Sequence, residues 1–368
     1  MKNKKPVVGI LAGGQSAEHE VSLQSAKNVL DALDKARYEP VFIGIQKTGR
    51  WSMQQRGLAQ FLHEDDPSRI ALAPGGAPVT LAPGRGGRLF NLETGREEAS
   101  LDVVFPILHG PFGEDGTVQG LLKLAGVPFV GAGVLGSAVG MDKAIAKQLL
   151  RAAGVPVAGW VELRADPSYK SAVEQARAVY KIYEEVFGLP FFVKPANMGS
   201  SVGVSKVHSK TEFVTALKQA FAFDQKVIIE DYIEGREIEC AVLEWNNKVL
   251  ASPPGEIRSR HEFYSYEAKY LDEKGAELLI PAALDQDTVR TVKSLARKTF
   301  SVLCCEGLAR VDFFVRPDGG VLVNEINTMP GFTRISMYPK LWERSGVPYP
   351  RLISRLISRA LERGDILS

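Results

Sequence analysis

Two short apolar runs, Arg310-Val311-Asp312-Phe313-Phe314 and Val323-Asn324-Glu325-Ile326-Asn327, flank the turn sequence Pro317-Asp318-Gly319-Gly320. No other stretch constrains the fold as much. The runs read as strands, and the turn joins them as an antiparallel hairpin. In a strand, residues two apart share a face. Glu325 and Asn327 are therefore parallel neighbours, and the hairpin sets Asp312 beside them. Two carboxylates and an amide carbonyl form a hard oxygen set that suits Mg2+. Arg310 faces the same way as Asp312 and can neutralise charge on a transferring phosphoryl group. The same acids would also serve as solvated strand-end residues, so the hairpin gains chemical meaning only from the rest of the chain.

At 368 residues the chain exceeds one ordinary core, which points to two or three domains. The 45 Lys and Arg nearly balance the 43 Asp and Glu, which argues against general affinity for nucleic acid or an anionic membrane. No apolar run approaches the roughly 20 residues of a spanning helix. The basic start, Met1 to Pro6, is followed by an apolar run, Val7 to Ala12, too short for a leader core, so it reads as a first strand. Cys240, Cys304 and Cys305 show no metal-ligand spacing and read as core residues. A cytoplasmic, disulfide-free protein is expected.

Val7–Leu11, the helically spaced Val21–Leu33 and Pro40–Ile45 give strand, helix, strand, the opening of an open parallel sheet. Residues 73–87, rich in Pro and Gly, read as turns rather than a core element. Leu101–Leu108 and Val127–Gly131 are further strands. A boundary is expected near Gly136–Met141, before a helix from Asp142 to Ala153. Strands at Pro190–Pro195 and Val202–Val207 surround a glycine-serine loop. Val227–Glu230 and Glu237–Leu243 follow, the latter with Ile238, Cys240 and Val242 on one face. The irregular, charged and aromatic stretch from Arg258 to Lys274 reads as an active-site loop. A last helix spans Pro350–Arg363.

Lys194 ends a strand before Gly199, Ser200, Ser201 and Gly203. Small residues let backbone N–H groups approach phosphate oxygens, and the lysine adds a point charge. Lys143 starts a helix within reach of a phosphate. The segment Glu230-Asp231-Tyr232-Ile233-Glu234-Gly235-Arg236-Glu237 can read a purine edge through its backbone, with Glu237 accepting from ribose hydroxyls. It reads equally as a solvated acidic turn. The Gly13–Glu20 turn stands at the carboxyl end of the first strand, where ligands of open α/β sheets gather. It lacks the Gly-x-Gly-x-x-Gly fingerprint of dinucleotide folds, and Glu18 would repel a pyrophosphate but attract an ammonium group. His109 follows a strand into the loop Gly110–Gly116 at the same sheet edge. No Ser-His-Asp arrangement is legible.

Taken together, these segments resemble the D-alanine–D-alanine ligases of the ATP-grasp superfamily over nearly the whole chain. The resemblance rests on Gly13–Ser22, His109-Gly110 with Gly113–Gly116, Met141-Asp142-Lys143, Lys194 with Gly199–Gly203, Phe263–Tyr270, Arg310-Val311-Asp312 and Asn324–Gly331. It implies an α/β (α+β overall) ATP-grasp fold. An N-terminal open parallel α/β domain (1–140) would take the first substrate. A small central α+β domain (141–235) would carry the phosphate loop. A larger C-terminal α+β domain (236–368), with a mainly antiparallel sheet, would hold the lid loop 258–274 and the metal site. The implied activity joins two D-alanines through an acyl phosphate for peptidoglycan precursors, using ATP and Mg2+ (two ions, with Mn2+ able to substitute), in a cytoplasmic homodimer.

The implied roles follow residue by residue. Lys143 and Lys194 hold phosphates beneath Ser200 and Ser201. Glu230, Asp231 and Ile233 read adenine, Glu237 takes the ribose, and Phe263 also touches the nucleotide. Asp312, Glu325 and Asn327 bind metal. Glu18 and His109 receive the amino group of the first D-alanine, and Arg310 and the Gly331 N–H stabilise the oxyanion. Ser336, beside Met337, meets the second carboxylate. Lys269 touches the transferred phosphoryl group, and Tyr270 links the lid to Ser200 and Glu18. Met329 and Met337 depart from the usual serine and leucine. The rival on the same fold is a D-alanine–D-lactate ligase, against which Tyr270 argues. A nicotinamide oxidoreductase and a non-catalytic nucleotide sensor are the readings from other classes.

Overall fold

The computed structural model describes residues 4–54, 60–64, 66, 69–259 and 276–367, the side chains of 365–367 excepted. Phe263, Lys269 and Tyr270 lie outside them. The first layer holds β1 (Val7–Gly13), α1 (His19–Ala32), β2 (Glu39–Ile45), β3 (Trp51–Met53), β4 (Phe61–Leu62), β5 (Ala71–Leu72), β6 (Ala77–Leu81), β7 (Arg88–Asn91), β8 (Glu97–Ser100), β9 (Val103–Ile107), α2 (Thr117–Ala125) and α3 (Val134–Met141). Seven strands form one sheet in the order β8-β7-β6-β3-β2-β1-β9. β1 pairs parallel with β2 and β9 and is buried along its whole length, as expected of a continuous apolar strand covered on both faces.

Three expectations fail in this layer. The sheet is mixed rather than simply parallel, because β3, β6, β7 and β8 add an antiparallel wing. Among the described residues no helix lies between β2 and β9, and antiparallel neighbours need only short connections. Residues 73–87 do contain a core element: β6 lies inside the sheet, with Val79 and Leu81 buried. Of the prolines and glycines that suggested turns, Pro78 lies within the strand opposite Ser52 and the others flank it. Val127–Gly131 forms only a single parallel bridge, Val104 to Phe129, and Gly136–Met141 lies within a helix.

The second layer contains α4 (Lys143–Ala152), β10 (Trp160–Arg164), α5 (Ala172–Phe187), β11 (Phe191–Pro195), β12 (Ser205–Val207), α6 (Lys210–Phe223) and β13 (Lys226–Asp231). Its antiparallel sheet has the order β10-β13-β11-β12. Phe191, Val193, Val227 and Ile229 pack with Tyr180, Phe213 and Leu217 of the two helices. Period-two alternation then places Lys194 and Glu230 on the opposite face.

The third layer contains β14 (Arg236–Trp245), β15 (Lys248–Ala251), β16 (Gly255–Ser259), β17 (Ala276–Leu279), α7 (Gln286–Val302), β18 (Leu308–Val315), β19 (Val321–Asn327), α8 (Met337–Arg344) and α9 (Tyr349–Leu367). Its antiparallel sheet runs β17-β16-β14-β18-β19, with β15 on β14. β14 is apolar on both faces: Ile238, Cys240 and Val242 join one core, Ala241 and Leu243 another. That second core also holds Leu352, Ile353, Leu356 and Ile357 of α9 together with Val8, Ile10 and Phe105, so the last helix packs against the first sheet. Cys240 and Cys305 are buried as expected, but Cys304 is exposed, in a left-handed turn just past α7. Among the described residues no helix is long and apolar enough to cross a membrane.

Candidate active site

The hairpin forms as its alternation requires. β18 and β19 pair antiparallel, with Arg310 opposite Asn327 and Asp312 opposite Glu325. The register then steps to Phe313 opposite Val323, leaving Asn324 as the extra residue of a bulge, a device that re-aims neighbouring side chains. Arg310 grips Asp312 with two parallel bonds, Nε to Oδ1 at 2.8 Å and Nη2 to Oδ2 at 2.7 Å. Asn327 Nδ2 donates to Asp312 Oδ2 at 3.0 Å, and Lys143 Nζ stands 3.4 Å from Glu325 Oε2. The two carboxylates and the amide thus meet within one patch, each acid facing a cation. Among the described residues no group of three or more His, Cys, Asp or Glu side chains is disposed around a metal ion. Two carboxylates with an amide oxygen are nevertheless the hard donors Mg2+ accepts, with substrate oxygens completing the shell.

A cavity of about 210 Å3 opens beside this patch. Lys143, Lys194, Ser200, Ser201, Glu230, Asp231, Ile233, Glu237, Asp312 and Glu325 all line it. Asp142 caps α4 by accepting from Ala144 N and Ile145 N, which starts the helix at Lys143 and aims Lys143 Nζ at Met198 O, 2.6 Å away. Ser200 and Ser201 both take left-handed backbone angles, φ 50° and 60°, where their loop borders the cavity. Such angles cost a serine on the order of 1 kcal/mol each and concentrate at functional loops. The Glu230 carboxylate is buried and ion-paired on one oxygen with Lys194 and on the other with Lys147. Asp231 holds Gly159 N at 3.1 Å.

A second cavity, of about 530 Å3, shares Gly199, Ser200, Glu239 and Ile257 with the first and adds Glu18, His109, Glu114, Arg310, Asn327, Gly331, Ser336 and Met337. Gly13 and Gly14 turn the chain out of β1 at φ 98° and 99°, and a Cβ on Gly13 would stand 2.2 Å from Ile45 O. That turn delivers Glu18, whose carboxylate accepts from Ser200 Oγ. A Cβ on Gly110 or Gly199 would come within 2.7 or 2.9 Å of Glu18 Oε2; Gly110, at φ 72°, needs glycine, and a side chain at Gly199 would displace the Glu18 carboxylate. Ser336 Oγ meets Thr333 N at 3.0 Å and Thr333 Oγ1 at 2.8 Å, beneath Gly331.

His109 behaves differently from the sequence expectation. Its Nδ1 donates to Met329 O at 3.0 Å and its Nε2 accepts from Ser25 Oγ at 3.3 Å. Burial holds its pKa below the ordinary imidazole value, against the pull of Glu18, so the ring is neutral. Both nitrogens face protein, and His109 offers neither to a substrate amine. It fixes Met329, and with it the loop that carries Gly331. Glu114, which has no role in the sequence reading, clasps the same loop: Oε1 accepts from Met329 N at 3.0 Å and Oε2 from Gly110 N at 2.8 Å. Burial, reinforced by the Glu18 carboxylate, pushes Glu114 up to about 8, although the two amides pull the other way.

Lys147, Glu114 and Glu239 escaped sequence reasoning. Glu239 Oε2 lies 3.0 Å from Arg310 Nε and helps fix that guanidinium. Lys147 carries a signal in retrospect: it follows Lys143 by one helical turn, on a face that also buries Ala144 and Leu150.

Comparison with known proteins decides the family. Residues 7–132 match the model described as D-ala D-ala ligase N-terminus, and residues 149–358 match D-ala D-ala ligase C-terminus. The chain belongs to the D-alanine–D-alanine ligase family. It is 50% identical over 362 residues to the D-alanine–D-alanine ligase of Oceanobacillus iheyensis, covering 98% of this chain and 96% of that one. It is 51% identical over 358 residues to D-alanine–D-alanine ligase A of Chromobacterium violaceum, covering 97% and 95%. The solved D-alanine–D-alanine ligase of Coxiella burnetii superposes with a TM-score of 0.80 at 39% identity, covering 99% of this chain and 96% of that chain. The D-Ala:D-Ser ligase VanG of Enterococcus faecalis gives the same TM-score at 31% identity, covering 97% and 100%. Membership makes this family member an ATP-dependent ligase of mixed α/β architecture.

Proposed function

We propose that this chain ligates two D-alanines to D-alanyl-D-alanine, with conversion of ATP to ADP and phosphate, as a step toward peptidoglycan precursors. The observation that carries the reading is a pair of cavities sharing the wall of Gly199, Ser200 and Glu239, with Arg310 and the hairpin acids between them. A nucleotide in one would present its terminal phosphate to a carboxylate in the other.

The chemistry follows from charge. A carboxylate is a poor electrophile, so it must first be activated. In the proposed sequence, a carboxylate oxygen of the first D-alanine attacks the γ-phosphorus and ADP leaves. The amine of the second D-alanine, having lost a proton, then attacks the acyl carbon, and the C–O bond to phosphate breaks. Glu18 holds the first ammonium group. Lys143, Lys194 and Arg310 balance the phosphoryl oxygens, and Arg310 with the Gly331 N–H supports the tetrahedral oxyanion. Ser336 and Met337 bound the second amino acid. Asp231, Ile233 and Glu237 surround the nucleoside, while Glu230 has its carboxylate between two lysines. Mg2+ or Mn2+ held by Asp312, Glu325 and Asn327, as two ions, would supply further positive charge at the phosphates. Phe263, Lys269 and Tyr270 keep the roles that the family resemblance implies.

The reading carries with it a cytoplasmic homodimer and three domains, 1–140, 141–235 and 236–368. Each of the three large sheets falls within one of these spans. Phosphate release tests the reading. D-alanine should stimulate it and yield the dipeptide, whereas L-alanine, D-lactate and D-serine should not match it. Equal stimulation by L-alanine, or a depsipeptide as main product, would overturn the assignment.

A further inference from the structure

Lys147 is almost fully buried, lines neither cavity, and faces Glu230 from behind. Glu230 divides its two oxygens between Lys147 and Lys194; Lys194 and Glu230 both border the nucleotide cavity, and Lys147 does not. The three side chains carry two positive charges and one negative charge. With Lys147 in place, Glu230 is balanced from the interior, and Lys194 retains a net positive charge toward the cavity. Without it, Glu230 and Lys194 would neutralise each other, and the cavity wall would lose one unit of charge in a poorly solvated setting where charges act strongly.

The scaffold keeps the arrangement rigid. α4 is fastened to β13 at a second point by the ion pair of Asp142 with Lys226, and Lys143 N donates to Ala196 O at 3.0 Å. Burial disfavours both ionised partners, lowering Lys147. In Glu230 the two lysines outweigh that effect and draw the carboxyl down to about 2, so it stays ionised at all working pH values.

We propose that Lys147 is a positioning residue of the nucleotide site, which neutralises Glu230 from the interior and so leaves Lys194 charged toward the phosphates. This rests on the reading of Lys194 as a phosphate lysine. The effect is expected to be larger at the phosphate tail than at the nucleoside, because Lys194 carries the charge that changes and Asp231, Ile233 and Glu237 bound the rest of the cavity.

The test compares inhibition constants of ADP and adenosine on the full-length enzyme with Mg2+. Lys147→Met is expected to weaken ADP about tenfold, or ~1.4 kcal/mol, while leaving adenosine and the KM for D-alanine within twofold. Lys147→Arg, which keeps the charge, should recover most of the loss. Glu230→Gln removes the opposing charge and should shift the ratio the other way, favouring ADP relative to adenosine; it also serves if Lys147→Met proves unstable. Lys194→Met is the control. If ADP affinity does not depend on Lys194, the phosphate-lysine reading fails. If it depends on Lys194 but Lys147→Met changes ADP and adenosine alike, or Glu230→Gln weakens ADP relative to adenosine, the positioning role is overturned.

Discussion

Glu114→Gln probes the clasp between the first sheet and the Met329 loop. Glu114 accepts two backbone amides and is buried with Glu18 as its anionic neighbour. Glutamine has one acceptor oxygen, so one amide would face an NH2 group, at a cost of ~1–3 kcal/mol. The pH dependence is more diagnostic. The native carboxyl titrates at about 8, against 4.5 for the free group. Between those values the native state holds a proton that the unfolded chain has released. The stabilisation is therefore complete below pH 4.5 and is lost as pH rises through 8, at ~1.4 kcal/mol per pH unit. Urea unfolding followed by tryptophan fluorescence, run on both proteins at about pH 5.5 and about pH 8, reports Glu114 together with its coupling to Glu18, because titrations remote from this pair are shared. The stability advantage of the parent over Glu114→Gln should shrink by ~3 kcal/mol across that interval, by the same linkage. Parallel pH profiles, or an advantage that grows with pH, would refute the reasoning.

Two further substitutions address the chemistry. Glu325→Gln removes a proposed metal ligand and the partner of Lys143. Turnover should fall at least ~100-fold, the scale of losing one preorganised charge stabiliser, and the Mg2+ concentration for half-maximal rate should rise in a metal titration. Ser336→Ala should raise the KM for the second D-alanine about tenfold with kcat little changed, since the hydroxyl borders the acceptor end of the larger cavity. Initial rates over a wide D-alanine range separate the two amino-acid sites.

Period-two patterning made the hairpin legible. Asp312, Glu325 and Asn327 had to share a face once the turn was recognised, and Lys194 had to oppose the helices that cover Phe191 and Val193. The β6 wing was not legible, because Pro78 within the strand and the prolines and glycines around it hid the alternation of Val79 and Leu81. Lys147 was invisible for a different reason. Its partner Glu230 lies 83 positions away, and a helix with lysines one turn apart reads as a solvated face until the packing is seen. His109 was placed correctly at the sheet edge, but only the fold shows both of its nitrogens spent on Ser25 and Met329. Glu114 lies in the Gly113–Gly116 motif, but two backbone amides in separate loops leave no mark on sequence spacing.

The activation step can be followed atom by atom with D-alanine labelled by 18O in its carboxylate. An acyl phosphate requires that one carboxylate oxygen end on phosphorus, so the inorganic phosphate released with each dipeptide should carry one heavy oxygen. Unlabelled phosphate accompanying labelled dipeptide would contradict the account.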